Sequence, residues 1–182
     1  MIELAGFIAA SFLLAWLSRH SLRAVGTHGF HRFFAWEFIA ALVLLNVRLW
    51  FHDPLSPHQI VAWILLVVSG VLVIHGAHLL RVIGKPNDAR KEESLLKFER
   101  TSELVTIGAY KYIRHPLYSS LLFLAWGVFF KDPGWLGGAL AGGASIFLVA
   151  TAKADEKECL RFFGPAYEAY RTRTRMFIPF VF

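Results

Sequence analysis

Apolar residues in this chain come in long unbroken runs, not on one face of each turn. Five runs stand out, at about residues 2–17, 33–51, 59–83, 115–130 and 135–152. A helix needs about 20 apolar residues to cross the hydrocarbon of a bilayer, with a working range of ~17–25. The second, third and fifth runs fit that range; the first is marginal and the fourth is short. The first run does not read as a secretory leader. Glu3 stands where a basic segment belongs, and no small-x-small cleavage site precedes Arg19. The pattern predicts an all-α fold: one integral membrane domain over residues 1–182, with five transmembrane helices and a helical C-terminal cap.

The basic residues give this layout a direction. Seventeen of the nineteen lysines and arginines fall between the first and second runs, between the third and fourth, or after the fifth. A five-span chain puts those three regions on one side. Cytoplasmic loops carry such an excess, so the N-terminus is expected outside and the C-terminus inside. Segments 84–114 and 153–182 are then cytoplasmic, and polar chemistry is expected there. Arg48 and Lys131 remain on the other side, where the connections are short and contain proline (Pro54, Pro57, Pro133).

Composition agrees with a membrane protein. The residues are 56% hydrophobic and only 18% charged, against ~45–50% and ~25% for soluble domains. The net charge of +6 is explained by topology, and no nucleic-acid partner is expected. One cysteine, Cys159, excludes an internal disulfide and a cysteine metal cage. No metal site is expected. There is no G-x-G, P-loop, H-E-x-x-H or G-x-S-x-G, so nucleotide hydrolysis, zinc proteolysis and elbow-serine chemistry lose their usual supports.

Several polar residues fall inside the runs: Glu37, Asn46 and Arg48 in the second, His75 and His78 in the third. Glu37 and Arg48 lie near span ends, within snorkelling reach of headgroups, which is the preferred reading for Arg48. The two histidines are expected to make hydrogen bonds between helices. In the fifth run, small residues such as Gly138 and Gly142 are expected to pack it closely against the fourth.

Two cytoplasmic stretches carry the candidate chemistry. The first runs from Leu104 to Tyr118. Gly108 breaks the chain, and Tyr110 leads to Arg114-His115-Pro116 at the mouth of the fourth span. Pro116 suits the first turn of a helix, which makes His115 the cap. A helix start favours an anionic ligand group. The second stretch continues the fifth span as a helix carrying Asp155 and Glu156. Gly164 is its expected stop and Pro165 the start of the next helix. Lys157, Glu158 and Glu168 read as a solvated charged face.

Together the stretches resemble the isoprenylcysteine carboxyl methyltransferase family and the related phospholipid methyltransferases. Members carry L-V-x-x-G-x-Y-x-x-x-R-H-P-x-Y, an acidic pair, F-G, Y-x-x-Y, a basic residue and a final F-I-P. Here these are Leu104, Val105, Gly108, Tyr110, Arg114, His115, Pro116 and Tyr118, then Asp155-Glu156, Phe163-Gly164, Tyr167, Tyr170, Arg173 and Phe177-Ile178-Pro179. Three positions depart: Asp155 stands where a glutamate is usual, Ser120 where a small glycine is common, and Thr151 where some members carry an arginine for the substrate carboxylate.

The resemblance implies a membrane methyltransferase that uses S-adenosylmethionine and releases S-adenosylhomocysteine. It implies that Leu104, Val105, Tyr110, His115, Pro116, Leu117 and Tyr118 wrap the cofactor. Asp155 or Glu156 would take its ammonium or ribose hydroxyls. Glu156 is the candidate base should the acceptor be an amine, and Arg173 would bind the acceptor or lock the cap. The acceptor is expected to be lipophilic, either a small molecule or a lipidated carboxylate, entering from the membrane lipids. A phospholipid or a thiol stands as the alternative. From other classes, the chain is a non-catalytic scaffold, or a haem carrier using His75, His78 or His115.

Overall fold

The computed structural model describes residues 2–86 and 99–181. Arg90, Lys91 and Lys97, counted above among the basic residues of segment 84–114, lie outside them. The described residues form seven α-helices and no named strand: α1 (Ile2–Leu17), α2 (Arg19–Arg23), α3 (His28–Asn46), α4 (Pro57–Val82), α5 (Pro116–Phe129), α6 (Trp135–Phe163) and α7 (Pro165–Arg173).

Local chemistry sets these boundaries. The Thr27 hydroxyl accepts the Phe30 N–H at the start of α3. Prolines occupy the first turn of α4, α5 and α7, where a missing N–H costs no bond. Gly164 ends α6 with φ +58, a conformation that glycine adopts at little cost, and Pro165 opens α7. Helix α5 begins at Pro116, with His115 as its N-cap, as the sequence predicts. The short α2 was not foreseen.

Three helices are long and apolar enough to cross a membrane: His28–Leu49 (α3 with a 3-10 turn), α4 and α6. Helices α1 and α5 are apolar but shorter, at 16 and 14 residues. Fourteen residues reach only ~21 Å, less than the ~30 Å of hydrocarbon. Helix α6 has 29 residues, or ~43 Å. Its last turns, carrying Asp155 to Phe163, lie beyond its apolar stretch.

Helix α3 lies along α6 and α4 along α5, with further contacts between α5 and α6 and between α1 and α3. Ile39, Leu42, Ala125, Val128, Ala141 and Ala144 form one buried cluster between α3, α5 and α6. The small residues of α6 serve two neighbours. Gly137 and Gly138 face Phe129 of α5, whereas Gly143 lies under the Phe38 ring of α3 and Gly142 faces open space. The expected pairing with the fourth span is thus half of the arrangement.

Several polar groups inside the bundle find partners. Ser11 donates to Glu37 Oε2 at 2.6 Å and ties α1 to α3. Asn46 donates to the Val128 carbonyl. In the turn before α6, Lys131 is 2% exposed. Its ammonium donates to Gln59 and lies 3.1 Å from the centre of the Trp63 ring. Burial lowers its pKa.

After α7 the chain turns back along the approach to α5. Arg175 N–H donates to the Tyr112 carbonyl, Arg114 N–H to Arg175, and His115 N–H to Met176. Phe177 is sealed against Tyr118 and Leu148. This return strip holds the R-H-P segment in place.

Candidate active site

The R-H-P and D-E stretches meet where α5 begins and α6 outruns its apolar length. His115 is the junction. Its Nδ1 lies 3.4 Å from Asp155 Oδ2 and its Nε2 lies 3.3 Å from Glu156 Oε1. Asp155 and Glu156 are successive residues, yet both reach one ring because the imidazole presents its nitrogens on opposite edges. The ring stacks on Tyr118, with centroids 5.4 Å apart.

Arg114 completes the group. Its Nε donates to Glu156 Oε1 and its Nη1 donates to the Thr174 carbonyl at 2.8 Å. One guanidinium thereby joins the acidic helix to the returning C-terminal strip. Burial would raise the Glu156 pKa, but hydrogen bonds from His115 and Arg114 outweigh it, so the carboxyl titrates below its usual range. Burial would lower the His115 pKa, but the bonds to Asp155 and Glu156 outweigh that, so the imidazole titrates above its usual range. The ring lies between two acids, an arrangement that favours its protonated form.

Beside this cluster is a cavity of about 90 Å³, open on one side. Seven of the sequence-derived cofactor residues line it: Leu104, Val105, Tyr110, His115, Leu117, Tyr118 and Asp155. Two do not. Pro116 packs towards Gly76 of α4, and Glu156 is held by Arg114 and His115. Arg173 does not line the cavity either; it borders two separate surface grooves.

The remaining walls include Arg114, Tyr167 and Tyr170, all in the quoted motifs, and Glu99, Thr101 and Cys159. Tyr170 donates to the Tyr110 carbonyl at 2.7 Å, which fixes the Gly108–Lys111 turn against α7. Burial raises the pKa of Tyr110, Tyr167 and Tyr170, so these phenols stay neutral. Cys159 donates its thiol hydrogen to Asp155 at 3.6 Å.

Two ion pairs brace the site from α3. Arg32, 4% exposed, meets both oxygens of Glu99 at 2.8 Å. His28 Nδ1 lies 2.6 Å from Glu158, which also accepts the His28 backbone N–H and so caps α3. Glu158 is 8% exposed, which corrects its reading as a solvated charge. His28, Asp155 and Glu158 bring their donor atoms within 4.8 Å of one another. No sequence signal marked Glu99 or His28.

His75 holds the glycine turn from below. Its Nε2 accepts the Ala109 N–H at 3.3 Å, so this histidine bonds a loop backbone and not a neighbouring helix. Gly108 has φ +61, and a Cβ there would lie 2.5 Å from that same Nε2. His78 is exposed on the same helix.

The chemistry of the cavity wall suits a cationic ligand with an aromatic part. Asp155 and Glu99 are anionic acceptors for ammonium or hydroxyl donors. Tyr110, Tyr118, Tyr167 and Phe163 offer π-faces to a ring or a sulfonium. The enclosed volume is below the ~300–1,000 Å³ of pockets that take a whole small ligand. A nucleoside-sized molecule would therefore extend along the open side.

No family model and no solved structure matches this chain. The chain is similar to a methanethiol S-methyltransferase from Crocosphaera subtropica, with 27% identity over 144 residues. That match takes in 75% of this chain and 53% of the relative, so the alignment spans about half of that protein's length.

Proposed function

We propose that this chain is an integral membrane methyltransferase that uses S-adenosylmethionine, with five spans, an outer N-terminus and a cytoplasmic site. The observation that carries the reading is His115 held between Asp155 and Glu156 beside a tyrosine-lined cavity. The similarity to a methyltransferase supports it independently.

The donor, when bound, supplies a methyl group already activated by a sulfonium, so the protein needs no nucleophile of its own. The residues of the chain then bind and orient. Asp155 and Glu99 would hold the ammonium or ribose hydroxyls, and Leu104, Val105, Leu117 and the tyrosines would enclose the ring and exclude water. Orientation of this kind is worth ~7–11 kcal/mol of barrier. Glu156 is poorly suited to act as a base. Arg114 and His115 both hydrogen-bond it and lower its proton affinity, and its work is to fix those two side chains.

The candidate acceptors are a lipophilic carboxylate, an amine or phospholipid, and a thiol. We favour a small apolar thiol. Thr151, where some members of the resembled family carry an arginine for a carboxylate, is fully buried and donates to the Phe147 carbonyl. The relative's name also specifies a thiol. A thiol acceptor would lose its proton to solvent and take the methyl as a thiolate, its new S–C bond replacing the donor's C–S⁺ bond, so that the donor would leave as S-adenosylhomocysteine. The lipophilic carboxylate stands as the second reading.

The test is labelled-methyl transfer by the purified chain in lipid nanodiscs. Methanethiol, a longer alkanethiol and farnesylcysteine are offered, and products are identified by mass spectrometry. Thioether formation supports the proposal, and ester formation would move the acceptor to the carboxylate class. No saturable S-adenosylhomocysteine binding, or a Soret band in its place, would overturn it.

A further inference from the structure

A second feature lies at the same end of the molecule and is not used by the cavity. Lys111, Arg173 and Arg175 border one groove of about 240 Å³, completed by Tyr112, Thr172 and Phe180. The cations come from three segments. Lys111 closes the 3-10 turn, Arg173 ends α7, and Arg175 is paired by its backbone to the strip before α5. All three are exposed, and among the described residues none pairs with a carboxylate.

Three like charges around one small space repel each other. The C-terminal dipole of α7 offsets this for Arg173, but not for Lys111 or Arg175. The surroundings are apolar as well. Phe180 is 82% and Val181 76% exposed, and the Phe180 and Tyr112 rings lie 6.1 Å apart. Tyr112 stands four residues before the first residue of α5. Exposed aromatics beside cations at a span end belong at the headgroup level of a bilayer. The methyl donor does not suit this groove, because its sulfonium and ammonium outweigh its single carboxylate and leave it cationic.

We propose that this groove binds the phosphate of an anionic phospholipid. Lys111, Arg173 and Arg175 hold the phosphate, while Tyr112 and Phe180 enter the interface beside the acyl chains. A larger adjoining groove shares Lys111 and Arg173 and reaches Leu104 and Tyr170, which also line the cavity. The headgroup would therefore sit one wall away from the site. This inference does not depend on the methyltransferase reading.

The test is native mass spectrometry of the purified full chain with phosphatidylglycerol and phosphatidylcholine at equal concentration. The wild type should retain phosphatidylglycerol at least tenfold over phosphatidylcholine. Arg175→Gln should lower that preference about fivefold, and Lys111→Gln/Arg173→Gln/Arg175→Gln should abolish it. Lys153→Gln/Lys157→Gln/Arg161→Gln removes the same charge from the exposed face of α6 and should leave the preference intact. Equal loss in this control would overturn the site in favour of general surface charge. Lys111→Arg should keep the preference, which separates loss of binding from loss of fold. Displacement of the lipid by inorganic phosphate at millimolar concentration would overturn the lipid assignment.

Discussion

Replacing Arg114 by methionine removes one guanidinium and leaves its stem. In the native chain that guanidinium is 12% exposed and bonds Glu156, itself 10% exposed, and the Thr174 carbonyl. Removing one partner of a buried pair strands the other as an uncompensated charge, at a cost of ~3–5 kcal/mol. The His115 ring still bonds Glu156, which places the cost at the lower end of that range. At ~2–4 °C per kcal/mol for a chain of this size, melting should fall by roughly 6–12 °C. Differential scanning fluorimetry in one detergent measures it. The double variant Arg114→Met/Glu156→Gln removes the stranded charge and should recover part of the loss, with a coupling of ~1–3 kcal/mol. S-adenosylhomocysteine affinity should fall in the single variant, because the guanidinium also holds the strip that positions His115. A melting shift under ~2 °C for Arg114→Met, or strictly additive single and double variants, would refute the reasoning.

Three further outcomes follow from the geometry. Gly108→Ala forces a left-handed φ on alanine and drives its methyl into His75, so it should cost at least ~1–2 kcal/mol and weaken S-adenosylhomocysteine binding in a titration. Gly143→Ala meets the Phe38 ring at 2.7 Å, whereas Gly142→Ala meets nothing within 4 Å; melting curves should show a loss of ~1–3 kcal/mol for the first and no loss for the second, where alanine is the better helix former. The raised pKa of His115 makes its charge a source of stability that is complete below the unfolded value near 6.5 and lost as pH climbs through the folded value. The lowered pKa of Glu156 adds stability above the usual carboxylate range that is lost on acidification. Melting temperature should therefore decline on the alkaline side of pH ~6.5, and His115→Gln should flatten that decline.

The parts of the fold legible in the sequence are those with a one-dimensional physical cause. Continuous apolarity marked α1, α3, α4, α5 and α6, because a lipid-facing helix needs apolar residues on every side. Proline and glycine marked the boundaries at Pro116 and between Gly164 and Pro165. The extent of α6 beyond its apolar stretch was legible too, since its charged residues keep helical propensity. The R-H-P and D-E stretches were recognisable as motifs, and the structure brings His115 to both acids.

What the sequence hid depends on pairing between distant segments. Nothing in the local sequence of His28 or Glu158 distinguishes them from solvated residues, since an ion pair across 130 positions leaves no periodic trace. The same holds for Arg32 with Glu99. It also bears on how basic residues are counted. Arg32 and Arg114 entered the one-sided excess of cations as topology markers, yet both are ion-paired within the fold. Lys131 was counted against that excess, yet it lies buried under Trp63. Charges of this kind are fixed by their partners and say little about which side of a membrane they occupy. Removing all three from the count leaves the asymmetry carried by exposed residues such as Lys111, Lys153, Lys157, Arg161, Arg173 and Arg175. Those charges are exposed, so the bias rests on residues that the fold does not bury.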